Sequence, residues 1–78
     1  MPNPRSNFED SALQRAFGAR VRELRIARDW SQEDLADKAQ LDRTYVVAVE
    51  QGHRNLTLRS IGKFAHGLQV PIATLFEN

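Results

Sequence analysis

Hydrophobic side chains in the first third of the chain recur every three or four residues. This spacing places them on one face of a helix that begins near residue 8 and ends near residue 29. The stripe consists of Leu13, Phe17, Val21 and Leu24. The residues before it contain two prolines and no periodicity. We therefore expect residues 1–10 to form a flexible tail and residues 11–78 to form a single domain.

Residues 31–52 have the pattern of two short helices joined by a tight turn. Ser31 lies three residues before Asp34, the spacing of a helix N-cap, and this helix should end near Ala39. Asp42 is a good N-cap for the next helix, which should stop at Gly52 because glycine adopts the left-handed conformation without steric cost. Such a unit is a helix-turn-helix, which offers its second helix to the major groove of DNA.

The last third of the chain predicts two further helices. Thr57 is the expected N-cap of a fourth helix, and Pro71 should occupy the first position of a short fifth helix. Apolar residues at helical spacing support the fourth helix: Leu58, Ile61, Phe64, Ala65 and Leu68. No alternating pattern predicts a strand. The expected fold class is all-α, a compact domain of five helices around a central helix-turn-helix.

The two central helices need an inner seam and a small residue where they cross. Ala36 meets the second requirement. The seam should contain Leu35, Ala39, Leu41, Val46 and Val49. The residues left pointing away from the core are Arg43, Thr44, Val47, Ala48 and Gln51. They are the expected DNA readers, the alternative being a plain helical hairpin with a solvated outer face.

The charge balance alone does not identify a nucleic-acid-binding protein. The 78 residues include 11 basic and 10 acidic ones, for a net charge of +1. Nine of the basic residues are arginine, which suits bidentate phosphate and guanine contacts. Five of them lie between residues 11 and 28: Arg15, Arg20, Arg22, Arg25 and Arg28. The alternative to a nucleic-acid contact is, for each of these arginines, an ordinary salt bridge on a solvated helix face.

Catalysis, cofactors and metals have little support in this sequence. There is no cysteine and no glycine-rich phosphate loop, and His53 and His66 have no acidic partners at ligand spacing. No signal pattern and no apolar run of about 18–20 residues is present, so we expect a cytoplasmic protein without a membrane partner. Because so short a chain without disulfides has a small core, we also expect a homodimer.

Three sequence runs resemble the Cro/C1-type, or XRE-like, helix-turn-helix family. They are VRELR at residues 21–25, WSQEDLA at residues 30–36 and VEQG at residues 49–52, and the match covers residues 17–76. Within that family, LDRTY at residues 41–45 and RNLTL at residues 54–58 resemble the controller proteins of restriction-modification systems.

This resemblance implies a bacterial, nucleoid-associated dimer that binds a palindromic operator beside the genes it controls. Controller proteins of this type commonly activate transcription at low occupancy and repress it at high occupancy, so RNA polymerase is a further expected partner. The alternatives are an antitoxin-type or phage-type autorepressor with the same fold, or a helical module that binds only protein.

The expected DNA-binding residues are Gln32, Asp42, Arg43, Thr44, Tyr45, Val47, Ala48, Gln51, Arg54 and Asn55. Arg43 should contact guanine, with phosphate as the alternative, and Thr44 should contact a thymine methyl or a phosphate. The resemblance implies that Gln32 holds phosphate and braces the recognition helix, which is the second helix of the helix-turn-helix.

Tyr45 and the loop after the recognition helix have more than one reading. The ring of Tyr45 should lie against the DNA backbone, or belong to the core with its hydroxyl satisfied at the edge. Arg54 and Asn55 should contact phosphate or a neighbouring base edge, the alternative for Asn55 being that it builds the turn. His53 in the same loop is expected to be solvated, the alternative being a phosphate contact.

The resemblance also implies that Arg25 and Glu50 form a structural ion pair between the first and third helices. Gln40 and Gln69 stand where glycine is usual, which predicts strain or a changed turn. Val47, Ala48 and Gln51 replace more polar or basic residues, so the operator sequence of relatives cannot be transferred. The expected dimer residues are Val70, Ile72, Leu75 and Phe76, the alternative being that they close the core of one subunit.

Overall fold

The computed structural model describes residues 10–77, which fold into four α-helices and a C-terminal 3₁₀ helix. The elements are α1 (Asp10–Ile26), α2 (Gln32–Ala39), α3 (Arg43–Glu50), α4 (Leu58–Leu68) and the 3₁₀ helix (Ile72–Phe76). The described residues contain no strand, and the all-α prediction is confirmed. The fifth helix is of the 3₁₀ type, and Pro71 precedes it as its N-cap instead of opening it.

The first helix ends earlier than predicted. It includes Asp10, so the last residue assigned to the tail is helical, and the predicted start near residue 8 lies outside the described residues. The helix ends at Ile26, and a turn follows in which Asp29 adopts a left-handed φ of 57°. Within the predicted stripe, Phe17 and Val21 are buried, whereas Leu13 is half exposed.

Local hydrogen bonds at the helix N-termini explain why α2, α3 and α4 begin where they do. The Ser31 hydroxyl accepts from the Asp34 amide at 3.0 Å, and the Asp34 carboxylate accepts from the Ser31 amide at 2.8 Å. Asp42 accepts from the Thr44 amide at 2.8 Å. Thr57 forms a second reciprocal capping box at the start of α4. The three predicted N-caps are therefore confirmed.

One hydrophobic core joins all five elements. Its fully buried large side chains are Phe17, Val21, Leu35, Val46, Val49, Phe64, Leu68 and Leu75. Phe17 and Phe64 pack edge to face, with ring centroids 5.9 Å apart. Leu75, expected at a dimer surface, is completely buried within this core. For Leu75 the stated alternative holds, since it closes the core of one subunit because the 3₁₀ helix turns its Leu75 side inward.

Two glycines permit close helix crossings that fix the position of the central unit. A Cβ atom added at Gly18 would lie 2.1 Å from the Val49 carbonyl oxygen, so α1 and α3 touch at backbone distance. A Cβ atom added at Gly67 would lie 2.8 Å from the Cα atom of Ala39, where α4 crosses α2. The low helix propensity of these glycines is therefore offset by packing.

Two glutamines stand at positions where glycine is usual, and both adopt the left-handed backbone conformation that glycine would adopt there. Gln40 and Gln69 both have φ of 57° and end α2 and α4 with left-handed C-caps. The turn of the helix-turn-helix is thus retained. A β-carbon in this region carries a steric penalty, so the strain falls on Gln40 and Gln69 themselves.

Candidate nucleic-acid interface

Helix α3 has one buried side and one side open to solvent. Val46 and Val49 are buried, which fixes the rotation of the helix about its axis. On the opposite side the exposed residues are Arg43, Thr44 and Gln51, and Val47 and Ala48 are half-buried. The Asp42 carboxylate accepts the N-cap hydrogen bond from the Thr44 amide, a structural role that the sequence also indicated. The helix therefore presents a mixed polar and apolar surface.

A buried ion pair holds the end of α3 against α1. Arg25 Nε lies 2.7 Å from Glu50 Oε2, and Arg25 Nη2 lies 3.0 Å from Glu50 Oε1, a bidentate arrangement. The two side chains are only 12 % and 3 % exposed. The hydrogen bond to Glu50 raises the pKa of Arg25 above its ordinary value. The structure thus brings the two residues together as an ion pair between α1 and α3.

Further hydrogen bonds extend this ion pair to α2. Gln32 Nε2 donates to Glu50 Oε1 at 3.1 Å, which connects the first residue of α2 to the last residue of α3. Arg25 Nη1 donates to the Trp30 carbonyl at 2.7 Å, just before α2 begins. Three helices are therefore tied together at one point. Gln32 has the bracing contact expected of it, and its phosphate contact stays a prediction.

Tyr45 lies between the core and the loop that follows α3. Its ring stacks on Phe64 with centroids 6.3 Å apart and an interplanar angle of 22°. Its hydroxyl donates to the Asn55 carbonyl at 3.4 Å, and the Arg54 guanidinium carbon is 5.8 Å from its ring centroid. The ring therefore belongs to the edge of the core, while its far end reaches the loop that carries Arg54.

Sequence reasoning missed the partner of the Asn55 side chain. Gln14 Nε2, on α1, donates to Asn55 Oδ1 across 41 residues of sequence. Neither residue belongs to a local motif that signals the contact, because it exists only once α1 lies against the loop. The structure does not place the Asn55 amide group on the surface of α3 with the other predicted readers.

Several arginines before the helix-turn-helix make structural contacts that the sequence did not reveal. Arg20 Nε donates to the Thr74 carbonyl at 2.9 Å, and its guanidinium also pairs with Glu23. Arg28 donates to the carbonyl oxygens of Leu24 at 2.8 Å and Leu68 at 3.0 Å. These carbonyls lie near the ends of helices, where backbone acceptors are available. Arg20 on α1 and Arg28 in the turn after it thus both contribute to the fold.

The expected dimer residues divide into buried and accessible ones. Ile72 and Phe76 are about half exposed and Val70 is partly buried, in contrast to the fully buried Leu75. Phe76 also packs on Phe17, with ring centroids 5.4 Å apart. Ile72 and Phe76 therefore remain available for a second subunit.

Residues 10–77 lack a metal-binding cluster and a membrane-spanning helix. This region contains no group of three or more His, Cys, Asp or Glu side chains placed to hold a metal ion. None of its helices combines the length and the apolar character needed to cross a bilayer.

Comparison with known proteins places this geometry in a family. The helix-turn-helix family model HTH_3 matches residues 21–75. The control protein C.MunI of Mycoplasma sp is 38% identical over 63 residues, which are 80% of this chain and 85% of that protein. The restriction-modification controller protein C.AhdI from Aeromonas hydrophila has a crystal structure, and its sequence is 48% identical to this chain. Its TM-score is 0.81, and the match covers 83% of this chain and 98% of that one.

A third similar structure contains DNA. It is the restriction-modification controller protein C.Esp1396I, a tetramer in complex with its natural 35 base-pair operator. That protein is 36% identical with a TM-score of 0.77, and the match covers 82% of this chain and 84% of that one. The chain therefore belongs to the helix-turn-helix family HTH_3, and restriction-modification controller proteins are among its similar relatives.

Proposed function

We propose that this protein is a sequence-specific double-stranded DNA-binding transcriptional regulator, a dimeric controller of restriction-modification genes that acts on a palindromic operator. The observation that carries the proposal is the way α3 is held. Its inner side is buried, its last residue is fixed by Arg25 and Gln32, and its N-terminal residues Arg43 and Thr44 are exposed. A helix so fixed loses little freedom on entering a major groove.

Arg43 is the proposed base reader. It is exposed in the first turn of α3, where residues of a recognition helix meet base edges. A guanidinium donates to guanine O6 and N7 together, which discriminates against a wrong base by about 1–3 kcal/mol. Arg43→Ala should therefore relax sequence preference at one position of each half-site. A uniform loss across all sequences would instead assign Arg43 to phosphate.

The dimer is proposed to form through the exposed apolar residues of the 3₁₀ helix, Ile72 and Phe76. A two-fold dimer of this fold places its recognition helices about 34 Å apart, one turn of DNA, which predicts a palindromic site. Sedimentation velocity of Ile72→Ser should show a shift towards monomer. Ile26→Ser is the matched control, since Ile26 is similarly exposed at the far end of α1. A dimer that survives Ile72→Ser but not Ile26→Ser would place the interface elsewhere.

The experiment that tests the proposal as a whole selects bound duplexes from a random pool and then footprints the selected sequence upstream of the gene and its neighbours. A symmetric protected site there, next to methyltransferase and endonuclease genes, supports a controller. Failure to enrich any duplex overturns DNA binding. A neighbouring toxin gene would favour the antitoxin alternative.

Two further measurements separate the finer parts of the proposal. Affinity for the selected duplex should fall steeply with salt because phosphate neutralisation releases counterions. A module that binds only protein would show no such binding. Transcription with purified RNA polymerase should rise at low and fall at high protein concentration, as expected if polymerase is a partner. The proposed place of action is the bacterial cytoplasm, on the nucleoid.

A further inference from the structure

The loop between α3 and α4, residues 51–57, is packed against the first turns of α1. A Cβ atom added at Gly52 would lie 3.0 Å from the Cα atom of Arg15, so the loop begins in contact with the α1 backbone. Three residues later, Gln14 Nε2 donates to Asn55 Oδ1. The loop is thus held to α1 at both Gly52 and Asn55.

The same loop carries Arg54 and contacts Tyr45, both of which are proposed DNA-binding residues. The Asn55 carbonyl accepts from the Tyr45 hydroxyl, and the Arg54 guanidinium lies over the Tyr45 ring. A change in the position of Asn55 therefore moves both Arg54 and the partner of Tyr45. Gln14 is linked through Asn55 to two proposed DNA-binding side chains, although it lies on a different helix.

We infer that Gln14 is a positioning residue for DNA binding, which acts through Asn55 to fix Arg54 and Tyr45 before DNA arrives. This inference rests on the proposed function. It also assigns Asn55 a different role from the one its sequence suggested. The Asn55 side chain holds the loop in place, and Arg54 makes the contact.

The physical reason is the entropy of the loop. Arg54 is exposed, and a long side chain on an unfixed loop must be immobilised when it binds. A hydrogen bond made already in the free protein removes part of that loss. Immobilisation of one such side chain corresponds to about a 2- to 10-fold change in affinity, which is the expected effect of losing Gln14.

The first test uses the free protein. The His53 amide donates to the Ala48 carbonyl at 3.0 Å, and its hydrogen exchange should be faster in Gln14→Ala than in the wild type, while the melting temperature stays close to that of the wild type. Asn55→Asp should keep the wild-type exchange rate, because a carboxylate still accepts from Gln14. Ser11→Ala, an exposed position one turn earlier on α1, is the matched control. Unchanged exchange in Gln14→Ala would overturn the inference.

The second test uses the duplex that the wild type selects from a random pool. Gln14→Ala and Asn55→Ala should weaken binding equally, and the double variant no more than either. Gln14→Ala should have a smaller effect in an Arg54→Ala background, where only the contribution through Tyr45 remains. A clear additional loss from Asn55→Ala in the Gln14→Ala background would mean that Asn55 itself contacts DNA, and would overturn the inference. If the wild type selects no duplex, the proposed function fails, while the exchange experiment still tests the contact itself.

Discussion

Replacement of Glu50 by glutamine is the sharpest test of how the recognition helix is held. Glu50→Gln keeps the size of the side chain and one acceptor oxygen but removes the charge that Arg25 pairs with. Both side chains are almost excluded from solvent, at 12 % and 3 % exposure. Removal of one member of a buried pair leaves the other charge uncompensated, which costs about 3–5 kcal/mol when burial is deep.

The loss of stability expected for Glu50→Gln is somewhat smaller than this. Arg25 keeps its hydrogen bond to the Trp30 carbonyl, and the remaining oxygen of residue 50 still accepts a hydrogen bond. We therefore expect a loss of about 2–3 kcal/mol. A domain of this size has about 4–12 kcal/mol of stability in total. The melting temperature should fall by roughly 10–20 °C.

The assay is thermal unfolding followed by circular dichroism, with Glu23→Gln as the matched control. Glu23 also pairs with an arginine, Arg20, but it is 68 % exposed, so its removal should change stability by less than about 0.5 kcal/mol. Melting of Glu50→Gln within about 3 °C of the wild type would refute the argument that the pair braces α3. DNA affinity should be compared at a temperature where both proteins are folded.

Three further predictions concern the backbone and the helix ends. In urea unfolding, Gly62→Ala should stabilise the protein by about 0.5–1 kcal/mol because its Cβ meets open space, whereas Gly67→Ala should destabilise it by about 1–3 kcal/mol against the α2 backbone. By carboxyl NMR, the pKa of Asp34 should lie below its ordinary value, first because the Ser31 amide and second because the Ser31 hydroxyl stabilise the carboxylate. The capping box therefore contributes at neutral pH and is lost as the pH falls through the lowered pKa of Asp34, and Ser31→Ala should move this pKa towards its ordinary value without restoring it fully. Gln40→Gly should raise stability by about 0.5–1 kcal/mol by relieving the left-handed strain, as measured by urea unfolding.

The features that could be predicted from the sequence are those fixed by near neighbours in the chain. The N-caps at Ser31, Asp42 and Thr57 depend on backbone amides two or three residues away. The buried faces of the helices depend on the 3.6-residue period. The end of the recognition helix can be predicted for the same reason, because it depends on the left-handed conformation of Gly52 itself, whose φ is 77°.

The features that could not be predicted depend on contacts between distant residues. Leu75 and Phe76 are neighbours of similar hydrophobicity, and only the orientation of the 3₁₀ helix buries one and half exposes the other. Arg28 carries no signal that distinguishes a carbonyl-binding arginine from a phosphate-binding one. The partner of Asn55 lies 41 residues away. Most candidate DNA-binding residues thus lie within the helix-turn-helix pattern of residues 31–52, whereas Arg25 and Gln14, which contact α3 and the loop after it, come from α1.

The chemistry of the α3 surface sets a limit on how its proposed operator is recognised. Val47 and Ala48 are half-buried and carry no hydrogen-bonding side chains, so the bidentate base contacts of this surface fall to Arg43 and to Gln51, the exposed C-cap residue of α3. The two Arg43 contacts of a dimer supply about 2–6 kcal/mol of discrimination, and Gln51 adds to this only where its amide group reaches an adenine. Specific binding generally exceeds non-specific binding by about 4–10 kcal/mol. Where the base contacts fall short of that difference, the shape and deformability of the DNA supply the rest, through the backbone contacts proposed for Arg54 and Tyr45. Selected duplexes should therefore show sequence preference at positions that no side chain of α3 touches.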